Sequence, residues 1–449
     1  LFVFYDFETT GTSPAFDQPL QFAAILTDEY LQPIDRVNIR CRLAPHILPA
    51  PWALAVTGIN PASLNDLELP TLFEFMQTIA DLIARWRPAT WVGYNSIAFD
   101  EEMMRQAFYQ NLHPQIYLTQ SAGNDRMDIL KLVYAVSALA PEALEWPQND
   151  RGQTSFKLDQ LAPANGFEQH DAHDALGDVE ATIFITNLIR QKAPAIWEQG
   201  LRNRTKQNIN SMLESGRPLG LVERFSGPPR TYFGAFSGRN PQNTNTVGFM
   251  DLSAVDPAAL ADSNDETIAN AVSQSPKLIR SIKVNGYPAL FEVADLTDEV
   301  VNRARALSEM REFHQRVGSA LAARFADRPE PEYVEEQIYS GFASESDQQW
   351  LRQFQTANWA SRMEILSKLE DQRFFQLGRR IVFANQPNLL KEELRDRIAN
   401  ELIGRWHAEN APWTTFAAVD RQIEEIEQVG ELGDQRLREL RAYYDERRR

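Results

Sequence analysis

The sequence predicts an α/β domain on a mixed sheet, then a small β-rich module, then an all-α region. Three observations carry this reading. Residues 1–195 alternate short β-rich runs with stretches of helical period. Residues from about 198 to 330 are punctuated by Gly, Pro and Asn around short strand patterns, as in "SGPPRTYFGAFSGRNPQNTNTVGF". From about 331 onward the pattern is helical to the last residue.

In order along the chain, "LFVFYDF", "QFAAILTD" and "VNIRCRL" read as strands separated by turn residues such as "TSPAFDQP". "TLFEFMQTIADLIARW" places apolar residues at helical spacing and stops before Pro88. "ATWVGYN" reads as a strand, "DEEMMRQAFYQNL" as a helix and "DVEATIFITNLIRQ" as another. Strands followed by strand–helix units give mixed strand directions. In the second region "KLIRSIKV" and "YPALFEV" read as strands of a barrel-like module with the helical run "EVVNRARALSEMREFHQRVGSALAARF". The closing "RLRELRAYYDERRR" reads as a solvated helix and frayed tail. The divisions fall at 1–197, 198–330 and 331–449.

The chain has 449 residues, 43% apolar and 24% charged, enough for two to four domains with real cores. It has no apolar run long enough to span a bilayer, so no membrane partner is expected. The initial "LFVFYD" lacks a basic leader and a cleavage site. A single cysteine, Cys41, excludes an intrachain disulfide and fits a reducing cytoplasm; it reads as small apolar filler. The net charge of −17 weighs against nucleic acid only until its distribution is considered, because the local field decides. Residues 1–195 hold 24 acidic and 12 basic residues. A cation-binding site would account for part of that excess.

Asp6 and Glu8, in "DFETTG", are two apart on a strand and therefore project from one face. Two unpaired carboxylates buried side by side raise each other's pKa and resist desolvation. A divalent cation relieves both penalties, since hard oxygen ligands suit it. "GYNSIAFDEE" adds Asp100 at the start of a helical pattern, and "HDAHDALGDVEATIF" adds His173 and Asp178. A five-residue step on a helix turns about 140°, so His173 is expected on the loop or first turn before Asp178. Asp171 and Asp174 read as helix caps, and Glu101 and Glu102 as first-turn residues favoured by the helix dipole. His170, His46, His113, His314 and His407 read as surface or packing residues.

The order Asp-x-Glu, Asp, His-x4-Asp resembles the DEDDh group of 3′→5′ exonucleases, of the ribonuclease H-like superfamily. "DFETTG", "GYNSIAFD" and "SFKLDQLAPANGFEQHDAHDALGD" are similar to its three motifs, and "VTGI" (Val56 to Ile59) to a turn common in it. "YDFETTGTSPAFDQPLQFAAI", "WPQNDRGQTSFKLDQLAPANG", "LRNRTKQNI" and "EQIYSGFASESDQQWL" narrow the resemblance to the bacterial exonuclease I family, over essentially the whole chain. It implies a ribonuclease H-like exonuclease domain, an SH3-like domain and a helical domain, forming a C-shaped clamp.

The resemblance also implies the chemistry. Asp6, Glu8, Asp100 and Asp178 would hold two Mg²⁺ ions, or Mn²⁺ as an alternative, roughly 4 Å apart. Asp6 would bridge them, and His173 would be the general base for the attacking water. The activity implied is processive 3′→5′ digestion of single-stranded DNA to 5′-mononucleotides in repair and recombination, by a cytoplasmic monomer. Phe7 reads as a core side chain whose backbone, with Thr9, approaches the terminal sugar; Asn95 and Phe99 flank Asp100 along the substrate groove. The alternatives are a nuclease for RNA, a proofreader, or a catalytically inactive DNA-binding scaffold.

A DNA track needs cations interleaved with aromatic surfaces. Arg202, Arg204 and Lys206, then Arg230, Tyr232, Phe233, Phe236 and Arg239, then Lys277, Arg280 and Lys283 are the candidates. The family resemblance further implies a partner, the acidic tail of single-stranded DNA-binding protein. Its basic ridge is not carried over, because Ala140 stands where a basic residue is expected.

Overall fold

The computed structural model describes residues 1–167, 174–324, 330–430 and 432–449. Its first part is built on β1 (Phe2–Thr9), β2 (Pro19–Thr27), β3 (Pro33–Arg40), β4 (Thr90–Gly93) and β5 (Asp125–Asp128), in spatial order β3-β2-β1-β4-β5. β1 runs antiparallel to β2 and parallel to β4, so the sheet is mixed. The accompanying helices are α1 (Pro51–Thr57), α2 (Leu72–Trp86), α3 (Asp100–Gln110), α4 (Ile129–Leu139), α5 (Leu158–Ala164), α6 (Ala175–Lys192), α7 (Pro194–Arg202) and α8 (Lys206–Glu214).

Alternation along β1 decides what each face meets. Val3, Tyr5 and Phe7 pack with Phe75, Ile79 and Ile83 of α2 and Phe108 of α3. Phe2 and Phe4 pack on the other face with Val133 of α4 and Val179 and Ile185 of α6. Each buried side chain of this size is worth about 1.5–3 kcal/mol, so β1 is anchored from both sides. Asp6 and Glu8 follow on the Phe2–Phe4 face. β4 pairs with β1 only from Phe2 to Phe4; beyond that point the carboxylates stand at the open end of the strand. α2 is closed at its start by a reciprocal Thr71–Glu74 capping box and stops at Arg87, before Pro88. In the "VTGI" turn, Gly58 ends α1 at φ 67, a left-handed conformation that favours glycine.

The second part has β6 (Leu219–Glu223), β7 (Arg230–Arg239), β8 (Thr246–Asp251), β9 (Ile279–Lys283) and β10 (Leu290–Phe291), antiparallel in the order β10-β6-β7-β8-β9. With it go α9 (Pro257–Ala261), α10 (Asp265–Ser273), α11 (Asp298–Glu309) and α12 (Arg311–Ala323). The single helical run expected over 299–325 breaks at Met310, whose ψ of 64 is not helical. α12 lies close on β7: a Cβ at Gly318 would stand 2.4 Å from the Arg239 carbonyl oxygen. Val222, Tyr287 and Phe291 enter the nuclease-side core, and Lys131 Nζ donates to the carbonyls of Gly286 at 2.5 Å and Tyr287 at 3.1 Å. The division expected at 197/198 falls inside α7, whose Ile196 and Trp197 pack on that same core.

The third part is α13 (Glu345–Thr356), α14 (Trp359–Leu366), α15 (Gln372–Asn385), α16 (Glu392–Trp406), α17 (Phe416–Val429) and α18 (Asp434–Arg448). It packs on the first part twice. Phe73 and Tyr109 join Phe354 and Leu377, and Leu43 and Leu54 join Val419 and Tyr444. The frayed tail is a misreading. Leu440, Tyr443 and Tyr444 form a buried stripe along α18, and Tyr444 Oη donates to the Pro49 carbonyl at 2.7 Å. The arginines of that stretch hide this stripe from a reading by charge. No described helix is long and apolar enough to cross a membrane.

Candidate active site and metal centre

α6 crosses the Phe2–Phe4 face of β1 and brings Asp178, in its first turn, against the two strand carboxylates. Asp6, Glu8 and Asp178 each offer an oxygen, and these oxygens lie within 4.8 Å of one another. Glu8 is buried and Asp6 partly so. Asp100 opens α3, buried at 4% exposure. It lies outside the three-carboxylate group, and its Oδ1 accepts the Phe7 N–H at 3.2 Å. His173 lies outside the described residues, as do His170 and Asp171.

Electrostatics follow from this crowding. Burial pushes Glu8 up from 4.5 to about 9, with Asp178 and Asp100 adding repulsion and Arg40 opposing it. Burial likewise raises Asp6 well above the usual range, reinforced by Asp100 and Asp178. Asp100 rises to about 8 through burial, against the hydrogen bond from Phe7. Crowded oxygen donors that repel one another, with Glu8 buried among them, suit a hard divalent cation. The donor set therefore fits the divalent metal that the family resemblance implies.

The neighbouring candidates are placed as follows. Phe7 is buried core, and its N–H is engaged by Asp100 rather than facing a ligand. Thr9 is buried, and its hydroxyl donates to the Gly11 carbonyl at 2.7 Å. Asn95 is exposed at φ 64, with its N–H held by Asp128 at 2.9 Å. Phe99, half-buried, occupies the N-cap position of α3 without a side-chain cap. Asp174 occupies the N-cap position of α6 but does not cap with its side chain; instead it accepts from Gln21 at 2.7 Å and pairs with Arg40 at 3.4 Å. Glu101 and Glu102 are in the first turn of α3, but the helix dipole does not account for Glu101. It is 1% exposed and bonds Arg105 and Arg126, each at 3.1 Å, and Thr119 at 2.7 Å. Rings of His113, His314 and His407 lean on Phe108, Phe236 and Phe416. Cys41 is buried and unpaired, donating to the Pro19 carbonyl.

Asp6 and Asp178 lie on the wall of an open cleft of about 960 Å³. Its lining includes Tyr94, of the Gly-Tyr-Asn turn that the resemblance places along the substrate groove, and residues that the motif reading passed over: Tyr134, Phe156, Lys157 and Arg224. Tyr94 Oη donates to the Phe156 carbonyl at 2.5 Å, tying the turn after β4 to the segment before α5. Phe156 and Lys157 sit inside a quoted motif and were within reach of sequence reasoning. Arg224 had no such signal.

The expected basic track is uneven. Arg239 is engaged by Asn210, Glu214 and the Thr244 carbonyl. Arg204 bonds Thr90 and pairs with Asp125. Arg280 is buried on the Tyr232 ring and paired with Glu223 at 2.7 Å. Arg230 and Lys277 line a separate 400 Å³ pocket with Phe225, which is 70% exposed. Arg202, Lys206 and Lys283 are exposed on the surface.

Comparison with known proteins matches residues 3–186 to an exonuclease family and residues 332–447 to the exonuclease I C-terminal domain. The chain is 33% identical over 373 residues to exodeoxyribonuclease I of Haemophilus influenzae, covering 77% of this chain and 78% of that one. It is 31% identical over 381 residues to exodeoxyribonuclease I of Escherichia coli, covering 77% of each. Among solved structures it superimposes on exonuclease I of Methylocaldum szegediense with a TM-score of 0.84 at 27% identity, over 99% of both chains. E. coli exonuclease I in complex with a dT13 oligonucleotide gives 0.83 at 26%, over 99% and 98%. An SSB/exonuclease I structure with the inhibitor CFAM gives 0.82 at 27%, over 99% of both chains. With the same α/β exonuclease sheet, the same C-terminal helices and this level of identity, the chain belongs to the exodeoxyribonuclease I family of hydrolytic nucleases.

Proposed function

We propose that the protein is a 3′→5′ exonuclease that removes 5′-mononucleotides from single-stranded DNA, acting in DNA repair and recombination. The observation that carries this reading is the Asp6–Glu8–Asp178 cluster at an open cleft, in a chain of this family. Relatives solved with oligonucleotides favour single-stranded DNA as the polymer, and the SSB/exonuclease I structure favours the single-stranded DNA-binding protein as partner. We assign the three parts, at 1–197, 198–330 and 331–449, to catalysis and to two flanking arms, and a monomer suffices for both.

In this reading Asp6, Glu8, Asp178 and Asp100 hold divalent ions, Mg²⁺ with Mn²⁺ as the alternative. Bound there, two ions would supply an activated water and charge neutralisation at the scissile phosphate. Asp100 also orients the Phe7 backbone through its accepted hydrogen bond. His173 takes the proton of the attacking water as general base. Tyr94, Asn95 and Phe99 border the terminal nucleotide; Phe7 and Thr9 shape the strand end from beneath.

The test supplies 5′-labelled single-stranded DNA, duplex DNA and RNA with Mg²⁺ to the parent, Asp178→Ala and His173→Ala. Laddering from the 3′ end of single-stranded DNA, abolished by Asp178→Ala, is expected. No digestion of any polymer by the parent refutes the reading, and equal digestion of RNA replaces the substrate.

A further inference from the structure

Arg224 belongs to the second part of the chain, directly after β6, yet it lines the cleft that Asp6 and Asp178 share. Its guanidinium lies 4.9 Å from the centre of the Phe156 ring and 5.6 Å from that of Tyr134, both residues of the nuclease side. Its Nε donates to the Gly227 carbonyl at 2.8 Å, within its own loop. Nη1 and Nη2 have no hydrogen bond, and no carboxylate pairs with Arg224, among the described residues. Arg239 and Arg280 of the same sheet, by contrast, are both engaged by carboxylates.

The base of Arg224 is held firmly. β6 packs on α4, Val222 is buried in the nuclease-side core, and Lys131 of α4 clasps the 286–287 carbonyls. Stacking on two rings fixes the plane of the guanidinium while leaving its outer edge exposed. A staple between two parts of a protein has no need of an open, unpaired fork of donors. A cleft whose wall holds Asp6, Asp178, Asp150 and Asp159 does need cations to admit a polyanion.

We propose that Arg224 binds a phosphate of the DNA strand lying in the nuclease cleft, so that the β-rich part contributes directly to the substrate site. The proposal rests on the reading of the protein as a single-stranded DNA nuclease. The aromatic stack pre-orients two N–H groups toward one phosphate, the geometry that arginine offers and lysine does not. Because the contact is to the backbone, it serves every sequence equally.

The experiment measures kcat and KM for an oligothymidylate with Mg²⁺ across a series of NaCl concentrations, for the parent, Arg224→Gln and Arg224→Lys. For Arg224→Gln, KM is expected to rise about tenfold at low salt, with kcat within about twofold. The slope of log(1/KM) against log[NaCl] is expected to become shallower by about 0.7, the release expected for one phosphate contact on a single strand. Arg224→Lys keeps the charge and is expected to return the slope to that of the parent. An unchanged slope in Arg224→Gln overturns the inference, even if its thermal stability falls, because that is the behaviour of a staple. A parent that leaves single-stranded DNA intact overturns the underlying reading and the inference with it; a parent that digests it, beside an Arg224→Gln of equal KM and slope, overturns the inference alone.

Discussion

Replacing Glu8 by glutamine in metal-free protein is expected to stabilise the fold while removing activity. Glu8 sits within reach of Asp6 and Asp178 and is held near pKa 9, against 4.5 in an open chain. Its folded-state pKa is raised, so the stability it permits is full below pH 4.5 and is lost as pH rises through 9. Each pH unit inside that window removes about 1.4 kcal/mol. At pH 8 an isolated group of this kind would lose about 4–5 kcal/mol. Proton sharing with Asp6 and Asp100, which titrate high for the same reason, lowers the net figure to about 2–3 kcal/mol. Glutamine keeps the size, removes the charge and offers an N–H to the remaining carboxylates. For a domain of this size the gain corresponds to a rise in Tm of about 5–10 °C. The assay is thermal unfolding in EDTA at pH 8 and pH 5, repeated with Mg²⁺. The variant should gain at pH 8 and little at pH 5, and Mg²⁺ should raise the Tm of the parent more than that of the variant. Equal changes at both pH values, or a parent indifferent to Mg²⁺, would refute the reasoning.

Two further perturbations test the surroundings. Glu101→Gln leaves Arg105 and Arg126 facing one another's neighbourhood without their shared carboxylate, and should cost about 3–5 kcal/mol in urea unfolding; a loss under about 1 kcal/mol would show that the network is dispensable. His46 is pushed down from 6.5 to about 3 by burial beside Arg380 and Arg405. Its neutral form is the one that folds, so its contribution is present above pH 6.5 and lost as pH falls toward 3. His46→Asn should flatten the Tm–pH curve between pH 6.5 and 4, and a curve parallel to that of the parent would exclude this role.

Legibility in the sequence follows range. The strand over 2–9, the helix over 72–86 and the helix carrying Asp178 announce themselves because side-chain period and caps are local. The break at Met310 did not, since an uninterrupted apolar period runs through it and only packing of α11 and α12 on β7 bends the chain there. The docking of α18 was masked in the same way, by arginines that surround a buried Leu440–Tyr443–Tyr444 stripe. Within the site, the reading of Glu101 as a dipole residue missed Arg126, which arrives from β5.

The sequence by itself determined that Asp6 and Glu8 share a face and that Asp178 begins a helix, because strand alternation and helix initiation are fixed by neighbouring residues. Tertiary structure alone decided which charges meet. The crossing of α6 over β1 brings Asp178 to the strand pair, burial lifts Glu8 to about 9, and Asp100 takes the Phe7 N–H. It also carries Arg224 from a separate sheet onto Phe156 and Tyr134. These outcomes depend on how separate elements pack, and no period or spacing along the chain encodes a contact between residues so far apart.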